Sequence, residues 1–163
     1  CHGCSAPSRR PGHALGLRGH GVRERQVRGP LDVAAPPGTV VVRVRRYRCT
    51  GCGAVLTVVP RGVAACRHYG HAAIAMALAL WAIVGQPVKR VRQRVCAWQI
   101  GGELARDWSA LRRWARAAGV RLGLATPIAA AARAAQIAMG LAPPTLRGAS
   151  IEALAFAGGR AMP

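Results

Sequence analysis

Two cysteine pairs are the part of this sequence whose residue types and spacing could do chemistry. The first pair is Cys1–Cys4 (CHGC) and the second is Cys49–Cys52 (CTGC). Two intervening residues let both sulfurs of a pair reach one metal ion, and four thiolates complete a closed tetrahedral zinc site with no position open for catalysis. Chance spacing and the disulfides of a secreted domain are the alternatives, and one pair alone would also fit a redox motif. The predicted ligands of a structural Zn²⁺ ion are Cys1, Cys4, Cys49 and Cys52.

The net charge of +19 comes from 24 lysine and arginine residues against 5 aspartate and glutamate residues. An excess of this size attracts polyanions, above all nucleic acid. Lys89 is the only lysine, and alanine, glycine and arginine dominate the chain, so we expect part of the arginine content to reflect the codon bias of a GC-rich genome. Such bias does not remove acidic residues, and their scarcity leaves the charge uncompensated. We therefore predict nucleic acid as the partner, with a merely solvated basic surface as the alternative.

The few carboxylates argue against an active site in these residues. A two-metal nuclease or strand-transfer site needs several carboxylates that converge on the metal ions. The acidic residues are instead spread along the chain, at Glu24, Asp32, Glu103, Asp107 and Glu152. We predict a chain that is not an enzyme, the alternative being an enzyme whose catalytic part lies outside this sequence.

The other two cysteines, Cys66 and Cys96, have no partner nearby in the sequence, and we expect both to be buried structural thiols. Unpaired thiols beside metal-type cysteine pairs fit a reducing compartment, which predicts the cytoplasm. The sequence starts with a cysteine rather than an initiator methionine, so we expect a fragment or a trimmed reading frame. No secretory signal peptide is visible at this start.

The elements that must position the cysteine pairs are those of a zinc ribbon over residues 1–62. Three strands are predicted, at 20–27, 39–48 and 54–59. In the middle strand valines alternate with Arg43 and Arg45, the period of a strand with one buried face. A module this small buries too little apolar surface to fold alone, so we expect the metal to supply the missing stability.

Helices are predicted after the ribbon, which makes the fold class α+β. Residues 72–84 are apolar without interruption, and because a membrane span needs about 20 residues we expect a buried core helix, ended by Gly85 and Pro87. A second helix is predicted over 88–98, and its inward face would consist of Val91, Val95 and Trp98.

The next predicted helix follows a link at 99–106 and runs to Ala118, before Gly119. Asp107 or Ser109 can cap its start. Its inward stripe, at the spacing of one helix face, would be Leu111, Trp114, Ala115 and Ala118.

An alanine-rich helix is predicted at 128–139, either as a plain packing helix or as the contact of a homodimer. The segment from Leu141 onward is interrupted by glycine and proline, and we expect a poorly ordered tail there. The predicted domains are a zinc ribbon at 1–62, a helix-turn-helix-like domain at 69–122, and the alanine-rich helix with its tail at 123–163.

Nine basic residues and two acidic ones lie between Lys89 and Arg121. The helix from Ser109 to Ala118 combines an apolar face with arginines that could reach phosphates or guanine edges in a major groove. It also fits an ordinary amphipathic surface helix, and the link at 99–106 is longer than a helix-turn-helix turn, so a tri-helical variant stays open. The predicted DNA contacts are Arg43, Arg45, Arg46, Lys89, Arg90, Ser109, Arg112, Arg113 and Arg116.

Three features in this order resemble the N-terminal region of bacterial insertion-sequence transposases and related short mobile-element proteins. They are the Cys1–Cys4 pair, the segment Arg45–Gly53 that runs on to Pro60, and an apolar helix followed by Ser109–Trp114. The resemblance implies a zinc ribbon and a helix-turn-helix that bind duplex DNA, with zinc on the four paired cysteines and DNA contacts from Arg112, Arg113 and Arg116. The sequence lacks the acidic catalytic core of full transposases. A stand-alone transcriptional regulator and an RNA-associated zinc-ribbon protein are the alternatives.

Overall fold

The computed structural model describes residues 1–7, 9, 12, 14–64, 68–98 and 108–162. It confirms the α+β class, with a three-stranded antiparallel sheet followed by helices. The strands lie in the order β1-β2-β3 and are β1 (Leu17–Pro30), β2 (Pro37–Cys49) and β3 (Val55–Val58). The α-helices are α1 (His71–Ala82), α2 (Val88–Val95), α3 (Ser109–Leu122), α4 (Pro127–Gly140) and α5 (Ile151–Ala161).

The chain divides into two compact units, and the division differs from the predicted boundaries at residues 62 and 122. The metal unit comprises Cys1–Gln26 and Val41–Pro60, and the helical unit comprises Val27–Val40 and Arg61–Pro163. β1 and β2 therefore contribute to both units. Residues 27–30 of β1 and 37–40 of β2 belong to the helical unit. In β1, the Arg28 N–H group donates to the carbonyl oxygen of His68, which lies just before α1, at 2.6 Å.

β1 is longer than the predicted strand at 20–27. Its sequence has few β-branched residues, and most of its side chains are exposed. The neighbouring β2 is rich in valine and supplies a hydrogen-bonding partner whatever the side chains of β1 are. Strand pairing thus extends β1 beyond what its own residues favour.

α1 forms the centre of the helical unit, and the other four helices pack against it. The predicted buried core helix is confirmed, since nearly every residue from Ala72 to Leu80 is buried. A helix that is apolar all round must be covered all round. Gly85 follows with a φ of 76°, and α2 begins after Pro87, as predicted.

No single helix in the described ranges is long and apolar enough to cross a membrane. Only α3 and α4 taken together reach that length and composition, and their axes differ by a bend of 79°.

Three aromatic rings fill the core beside α1. Tyr69, Trp108 and Trp114 pack edge to face, with ring centroids 5.0–5.8 Å apart. Burial raises the pKa of Tyr69, and so does its hydrogen bond to Cys96. Tyr69 Oη lies 3.1 Å from Cys96 Sγ, which confirms Cys96 as a buried thiol. Cys66 lies outside the described residues.

α2 ends three residues earlier than predicted. Cys96 has extended backbone, with φ −104° and ψ 121°, so Trp98 lies beyond the helix. Val91 and Val95 are buried as expected, but Trp98 is 60% exposed. The prediction for Trp98 was wrong because the side chain packs instead near Arg28, whose guanidinium carbon lies 5.2 Å from the ring centroid.

α3 starts and ends differently from the prediction. Ser109 is its first helical residue rather than its cap, and no side chain caps the helix at Trp108. The predicted link at 99–106 and the alternative cap Asp107 lie outside the described part of the chain. The helix continues through Gly119 to Leu122 and ends on Gly123, which has a φ of 65°.

Gly119 does not end α3; it allows the residues after the helix to pack closely against it. A side-chain carbon there would lie 2.9 Å from the Leu124 carbonyl oxygen, so only glycine fits. The predicted inward residues of α3 are buried except Ala118, which is half-buried.

The segment beyond Leu141 is ordered into a 3₁₀ turn (Pro144–Leu146) and α5, where the sequence predicted a poorly ordered tail. The Ser150 hydroxyl caps α5 by accepting a hydrogen bond from the Ala153 N–H group at 3.2 Å. The two glycines that made this segment look unstructured, Gly158 and Gly159, are buried at helix contacts. The predicted alanine-rich helix at 128–139 is confirmed as α4, which packs against α1, α3 and α5.

Candidate metal centre and basic surfaces

The four paired cysteines come together in the metal unit. The sulfur atoms of Cys1, Cys4, Cys49 and Cys52 all lie within 4.8 Å of one another. The Sγ–Sγ distance is 3.7 Å between Cys1 and Cys52 and 3.8 Å between Cys4 and Cys49. Zn–S bonds of 2.3 Å in a tetrahedron separate two sulfurs by about 3.8 Å. The four thiols can therefore hold one metal ion.

The two cysteine pairs share one backbone geometry. The Cys1 nitrogen donates to the Ala6 carbonyl oxygen at 2.6 Å, and the Cys49 nitrogen donates to the Ala54 carbonyl oxygen at 2.8 Å. In both pairs, the residue after the second cysteine is left-handed: φ is 54° at Ser5 and 75° at Gly53. A left-handed residue reverses the chain after a tight turn. The two turns are thus structural repeats, although their sequences share only the CxGC pattern.

Backbone N–H groups prepare one sulfur for metal binding. The N–H groups of Cys52 and Gly51 donate to the Cys49 sulfur and lower the pKa of Cys49 from 9.0 to about 7. The pKa of Cys52 is raised, because the neighbouring Cys4 thiol and burial outweigh the hydrogen bond from the Ala54 N–H group. Cys49 therefore ionises more easily than Cys52. Because a metal ion binds the thiolate form, the Cys49 sulfur is the better prepared of the two.

Small residues allow the two turns to meet. A side-chain carbon on Gly3 would lie 3.1 Å from Ala54 Cβ and 3.6 Å from Cys52 Sγ. Thr50 connects the second turn to the residue before β1 by two hydrogen bonds. Its N–H group and its hydroxyl both donate to the Gly16 carbonyl oxygen, at 3.0 and 3.1 Å.

Two arginines stand beside the second turn. Arg18 and Arg48 line an open cleft of about 390 Å³ together with Cys49 and Cys52. A divalent ion with four thiolates carries a net charge of −2, and guanidinium groups in the same cleft offset that charge. Neither Arg18 nor Ser5 was among the predicted site residues. The signal for Ser5 was its position after a CxxC pair, which the absence of a glycine obscured.

The metal unit has little core of its own. Among its described residues only Val44 and Cys49 are buried. One valine cannot offset the conformational entropy of ordering a unit of this size. We therefore expect the stability of this unit to depend on a link between the four thiols, such as a shared metal ion.

The predicted strand contacts divide between two faces of the sheet. Arg45 pairs with Val58 and Arg46 pairs with Thr57, so the side chains of Arg45 and Arg46 point to opposite faces. Arg43 shares the face of Arg45, and both are exposed. Arg46 is only half-exposed. The sheet thus brings together two of the three predicted strand contacts.

The predicted contacts on α3 share one exposed face. Ser109, Arg112, Arg113 and Arg116 are exposed, whereas Leu111 and Trp114 are buried. α3 contains no acidic residue. Like charges four residues apart, as in Arg112 and Arg116, repel each other by about 0.2–0.5 kcal/mol.

Lys89 and Arg90 are exposed in the first turn of α2, which has no acidic residue there. Cations at a helix N-terminus oppose the helix dipole at a cost of about 0.3–1 kcal/mol. Helix stability therefore does not explain why Lys89 and Arg90 lie in the first turn of α2.

The helices do not pair as a helix-turn-helix of α2 and α3 would. α2 packs against α1, whereas α3 packs chiefly against α4. α3 and α4 are joined by a short turn that begins at Gly123, and their axes differ by 79°. This bend is smaller than the about 90–120° between the two helices of a helix-turn-helix.

Comparison with models of protein families, with curated proteins and with solved structures gave no match to this chain.

Proposed function

We propose that this chain is a DNA-binding protein stabilised by a structural Zn²⁺ ion. The observation that carries the proposal is the four-thiol cluster with near-tetrahedral spacing in a unit that has almost no apolar core. A four-sulfur tetrahedral site suits Zn²⁺ or an iron centre. We propose Zn²⁺ because closed sites of four cysteines in small β-rich modules are typical of structural zinc.

Duplex DNA is the proposed partner because the basic residues lie where charge repulsion or the helix dipole makes them costly. The arginine row of α3 has no acid on its own helix, and Lys89 and Arg90 oppose the dipole of α2. Phosphates would relieve both costs, and each neutralised phosphate releases counterions. The exposed row Ser109, Arg112, Arg113 and Arg116 is our first candidate for phosphate contacts, followed by Arg43 and Arg45. The three sequence features that resemble transposase N-terminal regions, in the same order along the chain, support a mobile-element role within this proposal.

The test is duplex-DNA binding of the zinc-loaded chain, titrated over salt concentration. We expect the logarithm of the binding constant to fall linearly with the logarithm of salt concentration. Replacing Arg112 and Arg113 with alanine should weaken binding and reduce that slope by about one unit for each lost phosphate contact.

The control is the double variant Arg147→Ala/Arg160→Ala, which removes the same charge from exposed positions outside α3. Equal losses in both double variants would mean that net charge alone attracts DNA. Tighter binding of structured RNA than of duplex DNA at matched salt would replace the proposed partner.

A further inference from the structure

A cleft lies in the helical unit, in the angle between α3 and α4 and beside the end of α1. It is an open cleft of about 320 Å³, and we call it the α3–α4 cleft. Its volume is at the small end of the range of ligand pockets, about 300–1,000 Å³. The lining residues are Trp81, Arg112, Arg116, Thr126, Pro127 and Ile128.

One part of the α3–α4 cleft is apolar. Trp81 supplies an indole ring from the last turn of α1, and Pro127 and Ile128 supply the first turn of α4. Ile128 is 48% exposed, so an apolar surface faces solvent here. A planar ring that stacks on Trp81 would cover it.

The other part is cationic. Arg112 and Arg116 lie one helical turn apart on the exposed face of α3, close enough to reach one anion. No carboxylate is among the described residues that line the cleft. A flat apolar body that also carries a negative charge would suit both parts of the cleft.

We propose that the α3–α4 cleft binds one unpaired nucleotide of a DNA strand, with the base against Trp81 and Ile128 and its phosphate on Arg112 and Arg116. This inference rests on the proposed DNA-binding function and adds a strand-end preference to it. A base within a duplex is stacked and paired on its neighbours and cannot enter, whereas an unpaired base offers its face at no such cost. Arg112 and Arg116 would then hold the backbone at the junction between duplex and single strand.

The experiment compares two duplexes of the same sequence, one blunt and one with a short unpaired 3′ extension, by fluorescence anisotropy at fixed salt. Stacking of one base on an aromatic ring predicts about tenfold tighter binding of the extended duplex. A 2-aminopurine placed in the extension should lose fluorescence when it stacks on Trp81.

Trp81→Leu should abolish the tenfold preference and the 2-aminopurine quenching while the affinity for blunt duplex is kept. Trp98→Leu is the matched control, since Trp98 is an exposed tryptophan elsewhere in the helical unit and does not line the cleft. Ile128→Ser, at an exposed position, removes apolar surface from the cleft without changing its charge and should reduce the preference if Trp81→Leu fails to fold.

The outcomes separate the two proposals. If neither duplex is bound, the proposed function fails. If the two duplexes bind equally well to the native chain, DNA binding stands and the strand-end preference is overturned. Quenching of tryptophan fluorescence by a free deoxymononucleotide, without any effect of the extension, would also overturn it, because the cleft would then take free nucleotides.

Discussion

At the scale of single residues, the candidate metal centre depends on conformations that are unfavourable for most side chains. Gly53 and Ser5 both adopt left-handed backbone after a CxxC pair, and a non-glycine residue pays about 1–2 kcal/mol for this. Gly53 removes the cost in the second turn, and Ser5 retains it in the first. The second turn also directs the N–H groups of Gly51 and Cys52 at the Cys49 sulfur, which favours its thiolate form.

We expect the metal-loaded chain to release its metal as the pH falls below about 7, because hydrogen bonds lower the pKa of Cys49 from 9.0 to about 7 and protons then compete for its sulfur. The folded pKa is the lower one, so this contribution to stability is present above pH 9 and is lost as the pH falls through about 7. A metal-sensitive dye measures the released metal against pH, and Cys49→Ser should hold no metal at any pH. Release that begins near pH 9 in the native sequence would contradict the geometry of the turn.

At the scale of elements, glycines set how closely the helices of the helical unit approach. A side-chain carbon on Gly159 would lie 2.6 Å from Ala72 Cα in α1, and one on Gly158 would overlap the Ala138 carbonyl group in α4. A side-chain carbon on Gly29 in β1 would likewise lie 2.5 Å from Ala73 Cβ in α1. Glycine usually weakens a helix, but here it allows backbone-to-backbone packing.

Gly158→Ala should destabilise the helical unit by about 1–3 kcal/mol, because the added methyl group has no space. Thermal unfolding measures this, at about 2–4 °C for each kcal/mol in a chain of this size. Gly140→Ala is the matched control at the end of α4, where nothing lies within 4 Å of the added carbon. An unchanged melting temperature for Gly158→Ala would mean that α4 and α5 are not in close contact.

At the scale of the whole molecule, the two units have different sources of stability. The helical unit has a continuous core that surrounds Met76 and Leu111 and includes the cluster of Tyr69, Trp108 and Trp114. The metal unit has Val44 and the four thiols. The first can be expected to fold by apolar burial, and the second by metal binding.

Removing the metal by a chelator, or by Cys49→Ser, should therefore unfold the metal unit and leave α1–α5 intact. Amide hydrogen exchange should show lost protection in β3 and in residues 41–49 of β2, while the α1 amides stay protected. Cys96→Ala is the control, because this thiol lies in the helical core and should not change the metal content. A Cys49→Ser variant that still binds one equivalent of metal and protects β3 would refute the metal site.

Local patterns in the sequence were enough to predict the four thiols, the middle strand, the buried helix α1 and the alanine-rich α4. Each depends on spacing or hydrophobic period within a few residues. The length of β1 was not predictable in this way, because its hydrogen bonds come from β2. The end of α3 and the whole of α5 were missed because the roles of Gly119 and Gly158 follow from packing partners outside the local pattern. The position of Trp98 was missed for the same reason, since it packs near Arg28 of β1. Glycine marks both a helix end and a close helix contact, and only the packed partner distinguishes the two.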